Sequence, residues 1–382
     1  MKKKIGLLSV YNHNFGSILQ AYALQKTLDD WGYSTEIILY KKTNYVKQAL
    51  RLLYFPLLKT TLKSRWKSIY CKIFQKDVYE KILLTREEAF RQFIKDRMHF
   101  SSVCKGRKQL IESCHKYDCF VLGSDQVWNP MNLGGDFYTM TFIPEDMKKI
   151  TYAPSFGVSN IPIAQREKTK TYLKRIQYIS VRESDGQKIV KDLIGRDVPM
   201  VVDPTILAGR NLWDKISDEQ FVGEKYIFCY FISKNPNYRA FAKRLAKKTG
   251  YRIVTIPHVD EYVKADMNFG DVLPQGVGPE EFVKLIRYSE YVCTDSFHGI
   301  VFSTMYKRTF FAFSRYSNEG IESTNSRIYS FLEMIGLTDR LYKGNEDICD
   351  ESLRSIDFTN AVDNIDALKK ESIHYLKMAL SS

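Results

Sequence analysis

The first forty residues constrain the fold more than any other part of the chain. Lys4-Ile5-Gly6-Leu7-Leu8-Ser9-Val10 is an apolar run of strand length. The polar turn Asn12-His13-Asn14-Phe15-Gly16-Ser17 follows it. From Ile18 to Trp31, Leu19, Ala23, Leu24 and Leu28 fall on one helical face. Gly32 ends the helix, and Ser34-Thr35-Glu36-Ile37-Ile38-Leu39-Tyr40 reads as a second strand. A strand, a helix and a strand in that order predict a parallel sheet, because the helix carries the chain back across the sheet face.

The same grammar recurs. After an insertion at about 41–100, apolar runs return at Asp118–Gly123, Ile150–Ala153, Gln177–Val181 and Met200–Asp203. Each ends in small or polar residues, which predicts one shared, ligand-facing sheet edge. Pro204 to Glu224 reads as a linker with a short helix. The pattern then restarts with strand Tyr226–Phe231, helix Tyr238–Thr249 and strand Arg252–Ile256. A helix at about Glu280–Ser289, a strand before His298 and a strand at Thr309–Phe313 complete it. Two α/β halves joined near the middle outline a two-domain cleft enzyme, and 382 residues suffice for both cores.

Composition narrows the function classes. Hydrophobic residues at 44% and charged residues at 26% are those of a globular protein. The formal net charge of +13 argues for an anionic partner: nucleic acid, an anionic membrane surface or a phosphorylated substrate. No nucleic-acid-binding motif is present, so no nucleic-acid partner is expected. The basic excess gathers between Lys41 and Lys116. There Tyr45–Lys59 mixes apolar and basic residues, and Lys63, Arg65, Trp66, Lys67 and Lys72 follow. That segment is either a peripheral membrane contact or a helical insertion with a solvated basic face. The seven cysteines are scattered without a C-x-x-C or metal-ligand spacing, as expected in a reducing cytoplasm. The first apolar run is too short for a signal peptide, and no stretch approaches a membrane span.

Candidate chemistry lies at strand ends. In Tyr291–Phe302 a strand runs into Thr294-Asp295-Ser296-Phe297-His298-Gly299 and then a helix. His298 either stands at the mouth of a cleft, where a group titrating near neutrality is useful, or packs under the turn. Gly123-Ser124-Asp125-Gln126-Val127-Trp128-Asn129-Pro130 follows another strand. Asp125 could orient or deprotonate a sugar hydroxyl, and Trp128 could stack on a sugar ring; alternatively Ser124 or Asp125 only caps the next segment. Arg182 ends a strand as a clamp for carboxylate or phosphate, or as the partner of Glu183. Ser155 and Gly157, in Ala153-Pro154-Ser155-Phe156-Gly157, could bring backbone amides to an anion. Asp203-Pro204-Thr205 reads as a structural turn. Arg327 faces the cleft or caps a surface helix, and His13 is a weak candidate. There is no Walker loop, no G-x-G-x-x-G after the first strand, no nucleophile elbow, no kinase set and no carboxylate cluster implying a metal.

Taken together, Asn14–Gln25, Gly123–Pro130, Tyr152–Gly157, Ser180–Glu183, Asp203–Thr205 and Thr294–Gly299 resemble the polysaccharide pyruvyl transferase family, in order, across about residues 4–340. The resemblance implies an α/β, GT-B-like fold: two Rossmann-type domains with parallel sheets facing a central cleft. Their expected limits are 1–210, carrying the insertion, and 211–382, with the last helix packing back on the first domain. It implies transfer of pyruvate from phosphoenolpyruvate, as co-substrate and without a further cofactor, to a sugar. The product would be a cyclic ketal. His298 resembles the catalytic histidine, Arg182 a donor-binding arginine and Asp125 an acidic site residue. Ser296, Arg327, Gly157 and Ser155 are the further donor-site candidates, and Asn14, Gln126, Trp128 and Asn129 the acceptor-site candidates. One departure stands out. Many members carry Arg-Leu-His at the catalytic histidine, whereas this chain has Ser296-Phe297-His298. Arg327, Arg315, Lys307 or backbone amides would then supply the missing positive charge. The expected acceptor is a bacterial capsule, exopolysaccharide or wall precursor, with a lipid diphosphate-linked form suited to the basic charge and to the inner face of the cell membrane. Alternatives are a GT-B glycosyltransferase using a nucleotide sugar, or a non-catalytic glycan-binding scaffold.

Overall fold

A computed structural model describes residues 2–11, 14–42, 76–131, 137–258, 263–266, 268–314 and 326–382. Its strands are β1 (Lys4–Leu8), β2 (Ser34–Ile37), β3 (Tyr40–Lys41), β4 (Cys104–Lys105), β5 (Cys119–Leu122), β6 (Lys148–Thr151), β7 (Tyr226–Tyr230), β8 (Arg252–Thr255), β9 (Tyr291–Thr294), β10 (Thr309–Phe313) and β11 (Leu341–Tyr342). One sheet runs β2-β1-β5-β6 and a second runs β11-β10-β9-β7-β8, with every pairing parallel. β3 and β4 form a separate short pair.

The predicted strands Gln177–Val181 and Met200–Asp203 are present only as single parallel bridges, Ile150 to Tyr178 and Val181 to Met200. Side chains replace ladder bonds there. The Ser180 amide donates to Thr151 Oγ1 at 3.0 Å, and the Ser180 hydroxyl donates to the Thr151 carbonyl at 2.8 Å. Pro199 has no N–H to add a rung. The predicted strand through Tyr40 likewise breaks after Ile37, and Tyr40–Lys41 pairs with β4 instead.

In each half the second strand lies on one side of the first and the later strands on the other. The order reverses between β1 and β5, and again between β7 and β9. Crevices open at the carboxyl ends of such strand pairs. The helix Phe15–Asp30 rises directly from β1 and is buried almost all round. An apolar helix of that kind needs neighbours on both sides. Phe15 stacks on Phe282 of the second half with centroids 4.7 Å apart and also meets Tyr230 at 5.6 Å. Aromatic rings thus serve the join between the halves.

The C-terminal helix Thr359–Ser381 returns to the first sheet. The Tyr375 hydroxyl donates to the Thr151 carbonyl at 3.0 Å, and the Val202 amide donates to Ser372 Oγ at 3.0 Å. The basic candidates Tyr45–Lys59, Lys63, Arg65, Trp66, Lys67 and Lys72 lie outside the described residues. The helix Lys76–Arg97 buries Phe90 and Phe93, with Phe90 5.1 Å from Phe15, so this end of the predicted insertion belongs to the core. Among the described residues no helix is long and apolar enough to cross a membrane.

Candidate active site

The end of β5 turns through Gly123 and Ser124 into Asp125, whose φ of 73° lies in the left-handed region. Aspartate tolerates that region better than most residues. Two amide donors, Val127 and Ser155, fix the Asp125 carbonyl at 2.8 Å each. The Asp125 carboxylate accepts the Ser17 hydroxyl on Oδ2 at 2.5 Å and the Gln126 amide on Oδ1 at 2.9 Å.

Two neighbouring segment ends deliver Arg182 and Asp203. Arg182 Nη1 donates to Asp203 Oδ2 at 2.6 Å and to Ser124 Oγ at 3.2 Å. Asp203 caps the helix Pro204–Leu207, its Oδ1 accepting from the Thr205 amide at 3.0 Å and hydroxyl at 2.7 Å. The second half brings His298 and Arg327. Ser296 caps the helix Phe297–Met305 by accepting from the Gly299 amide at 3.3 Å, which fixes His298 one residue inside the helix. His298 Nε2 lies 3.6 Å from Asp203 Oδ2 and has no hydrogen-bond partner. Arg327, on the helix Ser326–Met334, holds Nη1 3.5 Å from Asp125 Oδ1. Phe297 lies between the arginines, its ring centroid 4.6 Å from the Arg182 guanidinium and 5.9 Å from that of Arg327.

A glycine makes the meeting of the halves possible. A Cβ on Gly16, in the first turn of the helix after β1, would stand 2.1 Å from His298 Nδ1. The imidazole therefore packs directly against the Gly16 backbone, which only glycine permits.

These five side chains are largely shielded from water. Side-chain exposure is 0% for Asp203, 2% for Arg182, 7% for His298, 8% for Arg327 and 17% for Asp125. Burial alone would raise the Asp203 carboxyl, but the His298 ring, the Arg182 guanidinium and the Thr205 amide hold it well below the usual aspartate range. Burial would also raise Asp125; Arg327 first, then Arg182, His298 and the Ser17 hydroxyl, pull it below its ordinary value. The arrangement pairs an ionised carboxylate with an imidazole able to carry a proton, beside two guanidiniums suited to an oxyanion. Among the described residues no group of three His, Cys, Asp or Glu side chains is arranged to hold a metal ion.

Several predicted residues have other work. Trp128 is a core residue with no open face for a sugar: its indole N–H donates to the Tyr138 carbonyl at 3.1 Å, and Phe156 and Tyr172 pack beside it. Ser155 and Gly157 do not offer donors to a ligand. Glu183 Oε1 already accepts the Ser155 hydroxyl at 2.8 Å and the Phe156 and Gly157 amides at 3.0 and 3.4 Å. Asn129 is buried and accepts the Met131 amide at 2.9 Å, while half-buried Gln126 packs against Gly157. Asn14 is exposed and caps the first helix through the Gly16 and Ser17 amides at 2.9 and 3.4 Å. Lys307 is exposed past the far end of the helix that carries His298, too distant to supply charge to the site. His13 and Arg315 lie outside the described residues.

The sequence reading missed Asp203 as part of this site. Its motif, an aspartate before Pro-Thr, is also that of a plain helix cap. The available signal was position, since Asp203 ends a predicted strand at the same sheet edge as Asp125 and Arg182. Ser124 reads in the sequence as no more than a cap, and Ser17 as part of the polar turn before the first helix.

The chain is similar in structure to the UDP-GlcNAc 2-epimerase of Methanocaldococcus jannaschii, at 12% identity and a TM-score of 0.54, covering 99% of this chain and 100% of that one. It is also similar to MurG of Acinetobacter baumannii, at 6% identity and a TM-score of 0.47 over 100% of both chains. The first likeness shows the GT-B fold, two Rossmann-type domains with parallel sheets facing a central cleft. No curated protein matches the chain in sequence. The pattern of one family, polysaccharide pyruvyl transferase, matches residues 14–318, a span that includes Gly16, Asp125, Arg182, Asp203 and His298. The chain belongs to the polysaccharide pyruvyl transferase family.

Proposed function

We propose that this protein transfers pyruvate from phosphoenolpyruvate to a sugar, forming a cyclic ketal and releasing phosphate. The observation that carries the reading is the pair His298 and Asp203, 3.6 Å apart across the two halves and flanked by Arg182 and Arg327. His298 as imidazolium gives its proton to the methylene carbon of phosphoenolpyruvate, and Asp203 supplies the counter-charge. Carbon 2 becomes electrophilic, a sugar hydroxyl adds to it, and the hydroxyl proton passes to Asp125. The carbon–oxygen bond to phosphate then breaks. A second hydroxyl closes the ketal, and its proton leaves with the phosphate. The arginines stabilise the donor's carboxylate and the departing phosphate. Holding two hydroxyls against one carbon is the cleft's largest contribution to rate.

The test is phosphate release from phosphoenolpyruvate in the presence of model or lipid diphosphate-linked glycosides, with a pyruvate mass gain on the sugar. Acceptor-dependent release supports the reading. Binding of a nucleotide sugar in preference to phosphoenolpyruvate would favour glycosyl transfer, and glycan binding without turnover would favour a scaffold. His298→Ala is expected to cut turnover about a hundredfold or more. Near-normal turnover in that variant would remove the histidine from the chemistry.

The proposed acceptor is a capsule, exopolysaccharide or wall precursor, and the proposed place of action is the inner face of the cell membrane. The net charge of +13 supports contact with anionic lipid. Flotation with vesicles containing phosphatidylglycerol is expected to carry the protein at low salt and release it at high salt. Absence of flotation at low salt would count against membrane contact.

A further inference from the structure

We propose that donor binding converts Asp125 from an internal counter-ion into the general base, so that the acceptor hydroxyl is activated only when the donor is in place. This rests on the phosphoenolpyruvate reading above and concerns how its two substrates are coordinated.

Asp125 Oδ1 is where the two buried guanidiniums converge, 3.5 Å from Arg327 and 4.0 Å from Arg182. The Ser17 hydroxyl and the Gln126 amide also donate to this carboxylate. His298 and the Tyr138 phenol also interact with it electrostatically, and Asp203 competes with it for Arg182. So surrounded, the carboxylate is a poor proton acceptor. A base for a sugar hydroxyl needs the opposite environment.

Arg182 shows a complementary defect. Arg182 Nε and Nη2 are buried and have no hydrogen-bond partner. An unsatisfied charged donor in a dry site is costly, and an oxyanion repairs it. The cavity that touches Arg182, Asp203, Phe297 and Arg327 is otherwise lined mostly by apolar side chains such as Val202, Met334 and Leu368, does not include Asp125 or His298 in its lining, and has a volume of only about 20 Å³. That is room for a water-sized group and not for a donor. Asp125 is the most exposed member of the cluster, so the donor's carboxylate or phosphate reaches the guanidiniums past it.

Arrival of that oxyanion changes Asp125 in two ways. It takes over the guanidiniums that neutralised the carboxylate, and it adds a like charge beside it. Both effects raise a carboxylate's affinity for a proton. The proton then comes from the attacking hydroxyl: the O–H bond breaks to Asp125 as the oxygen–carbon bond forms at C2 and the His298 proton reaches C3.

Asp125→Asn tests this, since asparagine keeps the shape and accepts the left-handed φ. Phosphoenolpyruvate binding is measured by calorimetry in buffers of different ionisation enthalpy. Wild-type protein is expected to take up a fraction of a proton on binding, as the carboxyl rises toward the working pH while staying largely ionised, and the variant to take up less. The variant is also expected to bind phosphoenolpyruvate about tenfold more tightly, because a competing charge is gone, while losing turnover. Zero proton uptake by the wild type overturns the proposal without reference to any variant. Equal or weaker phosphoenolpyruvate binding by Asp125→Asn overturns it and leaves the donor reading standing. Failure of both proteins to bind phosphoenolpyruvate, with a nucleotide sugar bound instead, overturns the donor reading and this inference together.

Discussion

Replacing Asp203 with alanine is expected to cost about 3–5 kcal/mol of folding stability, the largest single loss any substitution at this site should produce. The reason is the company Asp203 keeps. Arg182 is 2% exposed and its Nη1 donates to Asp203 at 2.6 Å, so alanine strands a buried guanidinium. The Thr205 amide and hydroxyl lose their acceptor as well. Urea unfolding of variant and wild type, monitored by tryptophan fluorescence, measures the difference. A loss under about 1 kcal/mol would mean that Arg182 finds another partner, and the buried pair would then be no structural necessity. The pH dependence has a definite sign. The folded Asp203 carboxyl sits well below its unfolded value, so its contribution is complete above the unfolded aspartate pKa of about 3.9. That contribution is lost as pH falls through the lower folded value. Wild-type stability should therefore decline more steeply below about pH 4 than that of the alanine variant.

Gly16→Ala is expected to lower kcat about a hundredfold at a cost of no more than about 2 kcal/mol in stability. The added methyl would stand 2.1 Å from His298 Nδ1, so the imidazole must move, and its distance to Asp203 must change. Alanine favours a helix by up to about 1 kcal/mol over glycine, and overpacking costs about 1–3 kcal/mol, so a net loss of up to about 2 kcal/mol is expected. A double variant separates positioning from damage. If Gly16→Ala acts through the histidine, Gly16→Ala with His298→Ala turns over no more slowly than His298→Ala alone. An additional loss in the double variant would point to distortion elsewhere, and full activity in Gly16→Ala would mean that the ring is not held where the chemistry needs it.

Local patterns were legible wherever backbone physics is local. The period-3.6 face from Ile18 to Trp31 is a helix spanning Phe15–Asp30, and the run Thr309–Phe313 is a strand with those limits. The restart at Tyr226 and the strand before His298 are also where the sequence puts them. Errors arose where side chains substituted for backbone pairing, as Ser180 and Thr151 do. They arose again where a large side chain was given a surface role from its neighbours in sequence. Trp128 follows three polar residues at a strand end, yet its ring turns inward to Phe156 and Tyr172.

By itself the sequence determined the α/β alternation, the two parallel sheets and the strand ends at which chemistry would gather. It did so because apolar periodicity and turn residues act over a few positions and need no distant partner. Only the tertiary structure decided which of those strand ends meet. Asp203 reads as a helix cap until His298 arrives from the other half. Ser155 and Gly157 read as an anion nest until Glu183 fills it. Arg182 reads as a free clamp until Asp203 holds one of its nitrogens and leaves two others unpartnered. A buried charge takes its character from the groups that surround it in space, and in this protein those groups come from chain segments far apart in sequence.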